Sequence, residues 1–187
     1  MKITVLLVSL LLFSLTSTQA TIPAMQGEDI FSDSALTKEV GQLRKLNAAE
    51  RQKVRQALVL LEAAQDAASV TRDLEQVAGV SQHADAAVDA AVAVVPDGVL
   101  KGALVSSKKA LGASYVLRLV NADAFDTSDP ENAAYLEEII LRYQLASIPA
   151  YERPARALEF ARAHLLIATK LCSTVGIMRQ AKRPATR

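Results

Sequence analysis

Cysteine is almost missing from this 187-residue chain, with Cys172 the only one. No intramolecular disulfide can form, so the protein has to be held together by apolar packing. Tryptophan is absent, and four tyrosines and four phenylalanines are the whole aromatic content. Proteins that bind single strands or RNA rely on aromatic stacking, so no nucleic-acid partner is expected. Two histidines and one cysteine cannot furnish the ligand set of a structural zinc site. Glycine and proline are sparse, and no run of strict apolar–polar alternation occurs, which argues against a sheet. Asn47, Asn121 and Asn132 are each followed by alanine and then a non-hydroxyl residue, so N-glycosylation has no acceptor. Beyond the first fifteen residues the apolar stretches Ala90–Val95 and Val116–Val120, the second interrupted by Arg118, fall far short of the ~20 residues that cross a bilayer.

What is present begins with an export signal. Lys2 precedes an apolar and hydroxyl run from Ile3 to Leu15, and Ser17-Thr18-Gln19-Ala20 supplies small residues beyond it. This pattern predicts a cleaved signal peptide over residues 1–20, cut after Ala20, and hence a secreted protein. Residues 21–33 read as a flexible polar leader, 34–180 as the folded domain, and 181–187 as a basic disordered tail.

Helix-forming residues dominate the folded part, and its punctuation divides it into about five to six amphipathic helices. The fold class expected is all-α, a single-domain bundle following the signal peptide. A short helix is predicted from Ser34 to Leu46. Asn47-Ala-Ala-Glu50 has the spacing of a capping box, opening a helix whose stripe of Val54, Leu58, Leu61 and Ala68 is predicted to run on to Gly79. A helix with Ala84, Val88, Ala91 and Val95 on one side follows, then the turn Pro96-Asp97-Gly98. Val99 to Val120 forms the next, with Leu100, Leu104, Leu111 and Tyr115 on one face and Lys101, Lys108 and Lys109 mostly on the other. Ser128-Asp129-Pro130-Glu131 starts a helix carrying Leu136, Ile139, Ile140 and Tyr143. Pro154 starts the last, with Leu158, Leu165, Cys172 and Val175 on its stripe.

No arrangement for catalysis emerges. His164 is eight residues from Cys172 on one predicted helix, a rise of ~12 Å, too far to activate the thiol. Cys172 is expected to behave as a small buried apolar residue. Asp123, Asp126, Asp129 and Glu131 lack calcium-loop spacing and fit turns and caps instead. Neither Gly-x-Ser-x-Gly nor a phosphate-binding glycine loop occurs. The chain is therefore expected to be non-enzymatic, with no cofactor, no metal and no catalytic residues, and to act by binding a macromolecule, most simply a protein.

Charge is unevenly placed. Residues 151–187 hold eight basic residues against two acidic, whereas 21–150 hold twelve basic against eighteen acidic. Internal packing of the basic end on an acidic body is the simpler account; a basic contact surface is the other. On the second account Lys101, Lys108, Lys109, Arg153, Arg156 and Arg162 are the candidate contacts. A further alternative is a secreted carrier of lipid or another apolar ligand, or a helical protein lying on a membrane surface through Val99 to Val120.

Gly41-Gln42-Leu43-Arg44 followed by Ala49-Glu50-Arg51 resembles, in degenerate form, the RxLR–EER leader of oomycete effectors, which are secreted and enter plant cells. Gly41 stands where that pattern has its first arginine, Ala49 where it has its first glutamate, and the tryptophan of many such helical domains is missing. The resemblance implies delivery into a reducing host cytosol, which a disulfide-free domain would suit.

Overall fold

The computed structural model describes residues 33–178; the expected signal peptide, nearly all of the leader and the basic tail lie outside the described residues. Among the described residues there are six α-helices and no strand: α1 (Asp33–Leu43), α2 (Ala48–Val70), α3 (Leu74–Val92), α4 (Val99–Asn121), α5 (Pro130–Arg142) and α6 (Arg153–Thr174). One 3₁₀ turn, Ala150–Glu152, precedes α6. The all-α expectation holds.

Local chemistry accounts for the helix starts. At α2 the Asn47 side chain accepts from the Glu50 amide at 3.0 Å and the Glu50 carboxylate accepts from the Asn47 amide at 2.8 Å, the expected capping box. Asp129, not Ser128, caps α5 by accepting from the Glu131 amide, with Pro130 in the first turn; Ser128 bonds to Asp126 instead. The break expected at Gly79 lies upstream, at Thr71-Arg72-Asp73. Asp73 accepts from both the Glu75 and Gln76 amides, and Thr71 Oγ1 accepts from the Asp73 amide. A double cap satisfies donors that a helix start otherwise leaves orphaned, whereas a mid-helix glycine costs only about 1 kcal/mol. Gly79 therefore stays helical inside α3. At the end of α6, Gly176 adopts φ 77° and lets the Ile177 amide reach the Cys172 carbonyl at 2.9 Å, a left-handed helix stop suited to glycine.

Helices α2, α3, α4 and α6 form an up-down-up-down bundle around one apolar core. The direction of α6 follows from two buried serines on α4. Ser107 Oγ donates to the Ala161 carbonyl at 2.9 Å and Ser114 Oγ to the Pro154 carbonyl at 2.7 Å. Moving seven residues forward on α4 moves seven back on α6, so the two are antiparallel. Their seam is built from small buried side chains, Ala103, Ser107, Ala110 and Ser114 against Pro154, Ala157, Ala161 and Ala168. Small residues let helix axes approach closely, and this is the most extensive interface in the molecule. The α2–α3 hairpin is the other tight pair.

Helix α4 is the most enclosed element. Only Gly102 and Asn121 among its residues are exposed. Helix α5 covers part of it, with Ile139 buried and Tyr135, Leu136 and Ile140 partly so; the Tyr143 ring beyond α5 meets Phe160 of α6 at 5.5 Å. The apolar side of α4 is thus filled by its neighbours. Helix α1 is attached by the buried Leu43 and by Glu39, whose carboxylate accepts from the Val99 and Leu100 amides at 2.9 and 2.8 Å. That carboxylate occupies the space at Gly98, where a Cβ would come within 2.6 Å of it.

Candidate interaction groove

Helices α2 and α6 meet less intimately than the two tight pairs, and their seam is open as a groove of about 300 Å³. Its apolar lining is Leu58 from α2, Leu165 and Leu166 from α6, and Met178 beyond the α6 stop. Antiparallel register brings these together: Arg55 Nε donates to the Ile177 carbonyl, pinning the end of the described chain to the first half of α2. Gln65 forms part of the lining and is held from behind, since its Nε2 donates to Ser107 Oγ at 2.9 Å. The hydroxyl accepts that bond while donating to Ala161, so one node joins α2, α4 and α6.

The rims differ in sign. Glu62 and Asp66 line the α2 side, and Arg162 lines the α6 side. All three are exposed, and Lys170 is exposed two turns beyond Arg162. None of the four takes part in an ion pair among the described residues; those present are Lys101–Asp97, Lys108–Asp89, Arg142–Glu138 and Arg156–Glu159. Leu166 is 55 % exposed and Val59 is 56 % exposed, so apolar surface continues outside the groove.

The six basic candidates separate in this frame. Lys101 pairs with Asp97 at 2.7 Å. Lys108 spans both oxygens of Asp89 at 2.8 and 3.0 Å. Arg153 Nε donates to the Ile148 carbonyl at 2.9 Å, and Arg156 pairs with Glu159 and lies over the Phe160 ring. Lys109 is half-buried along α4. Only Arg162 belongs to the groove. Leu58 and Leu165 were expected only on core-facing stripes and the acidic residues were not singled out from the sequence, although the run Leu165-Leu166-Ile167 carries a signal. Three consecutive helical residues span ~200° of azimuth, more than one core-facing stripe can hold.

Other titratable groups lie elsewhere. Burial pushes the Asp85 carboxyl up to about 6; Lys108 opposes the shift and Asp89 adds to it. Cys172 is fully buried, and burial, with the negative charge of Glu39 behind it, pushes its thiol up to about 12. A thiol so held is protonated at neutral pH and a poor nucleophile. His83 and His164 each place Nδ1 2.7–2.8 Å from the carbonyl four residues earlier on their own helices. Among the described residues no three His, Cys, Asp or Glu side chains converge as metal ligands would, and no helix is long and apolar enough to cross a membrane. The acidic loop serves as turn and cap: Asp126 accepts from Ser128, which holds its carboxyl below the usual range.

The residues resembling the effector leader carry structural roles. Leu43 is buried, Glu50 belongs to the capping box, and Arg51 donates to the Leu46 and Arg44 carbonyls. Compared with known proteins, the chain matches no family model, and neither a curated protein nor a solved structure shows significant similarity to it.

Proposed function

We propose that this chain is a non-enzymatic binding module that receives a helical surface of a protein partner at the α2–α6 groove. The observation that carries this reading is the groove itself: an apolar floor between walls of opposite charge, with those charges in no ion pair among the described residues. Apolar contact supplies affinity in such a groove and flanking charges set orientation and partner choice. A volume of about 300 Å³ lies at the small end of ligand sites, and two carboxylates and a guanidinium at the rim suit a polypeptide better than a lipid chain. The export pattern of residues 1–20 supports an encounter outside the producing cell, and the effector resemblance supports one inside a host cell.

A photoreactive amino acid at Leu166 tests the reading. It is expected to capture a polypeptide of defined mass, and Leu165→Asp in the groove is expected to abolish the product while the same probe at exposed Leu36 gives none. Capture that is equal at both positions, or indifferent to Leu165→Asp, would count against the groove.

A further inference from the structure

The two rims of the groove are complementary to each other across a two-fold axis. The antiparallel register, fixed inside the bundle where Gln65 and Ala161 meet at Ser107, sets Asp66 near the height of Arg162, with Glu62 one turn away, level with Leu166. A two-fold axis parallel to the bundle turns the α2 rim of one copy onto the α6 rim of the other without changing height. Asp66 of each copy then faces Arg162 of the other, a contact made twice about the axis, with Leu166 and Glu62 beside it. A perpendicular two-fold would set like charges together. We propose that the partner at this groove is a second copy of this chain, docked about the parallel axis with Asp66 of each copy against Arg162 of the other.

The proposal rests on the reading of the groove as a protein-docking face and narrows it to one occupant. An isologous interface of this kind closes on itself and stops at a dimer. Its size sets its strength. A face two helices wide and about 22 Å long covers roughly 450 Å² per copy, below the ~800 Å² of a standard interface. A reversible dimer in the micromolar range is therefore expected, weakening as salt screens the exposed rims.

Sedimentation of the purified protein over a dilution series decides the matter. The expected result is a monomer–dimer equilibrium that Arg162→Glu or Asp66→Arg, each breaking two symmetry-related contacts, weakens by about tenfold or more. An equimolar mixture of the two variants restores opposite charges at both contacts, as does the double variant R162E/D66R alone, so both are expected to regain dimer. A protein monomeric up to a few hundred micromolar overturns the proposal, because an interface of this size and complementarity is expected to associate below that range. A dimer indifferent to the reversals, or one not regained on mixing, overturns it equally. The Leu166 probe separates this failure from failure of the docking reading. A product of twice the chain's mass supports both, a product with a different polypeptide from a monomeric protein leaves docking standing without the second copy, and no product from a monomer overturns both.

Discussion

Two seams of the bundle treat polar residues in opposite ways. Along α4–α6, Ser107 and Ser114 are buried and each donates to a carbonyl of the facing helix; the bonds are made inside the molecule and the helices close on small side chains. Along α2–α6, Glu62, Asp66 and Arg162 stand at the rim, with no ion pair among the described residues. Polar groups that are buried must be satisfied internally, and those at an open seam need not be. The first seam holds the fold, and the second is the one proposed to receive an outside group.

That contrast can be broken experimentally, beginning with the core. Leu104 on α4 is fully buried, so Leu104→Ala should cost about 2–5 kcal/mol in denaturant unfolding. A smaller loss would mean that α4 is less enclosed than its surroundings imply. Next comes the cap on α4. Glu39→Ala should cost about 1–3 kcal/mol by orphaning two amides, and Gly98→Ala should act through the same bonds, since its Cβ displaces the Glu39 carboxylate. The double variant is then expected to be little worse than either single one; additive losses in a double-mutant cycle would show two separate causes.

Asp85 gives an effect of opposite sign. Its folded-state value of about 6 lies above the ordinary carboxyl value of 3.8, so the folded protein holds the proton more tightly and loses this group's contribution as pH rises from about 4 through 6. Asp85→Asn should therefore stabilise the protein at pH 7 by about 1–3 kcal/mol, with the gain over wild type shrinking toward pH 4. A gain independent of pH would remove burial of the charge as its cause. The smallest effect belongs to the open seam: Leu166→Ala should leave stability within about 0.5 kcal/mol while weakening self-association in sedimentation. A large loss of stability there would make Leu166 a core residue.

Much of the fold was legible because helix ends are written locally. Asn47 with Glu50, and Asp129 with Pro130, mark starts within four residues, and the limits expected for α4 agree with Val99–Asn121 to one residue. Gly79 misled because a glycine breaks a helix only weakly, while Asp73 and Thr71 offered a stronger stop that reads as ordinary polar sequence. The groove was hardly legible at all. Exposure of Leu166 and Glu62 depends on which sides of the bundle remain uncovered, and α5 covers α4 for reasons of tertiary geometry. The Glu39 cap was equally hidden, because its partners lie 60 and 61 residues away.

That long reach also sets an order of events. Helix α1 has no carboxylate-to-amide anchor until the first turn of α4 exists, so its docking follows bundle assembly, and by the same logic it is among the first elements released. The amides of Val99 and Leu100 therefore report on a segment sixty residues upstream. Whatever pulls on or engages the amino-terminal region of this protein should be read there, as faster hydrogen exchange at the start of α4.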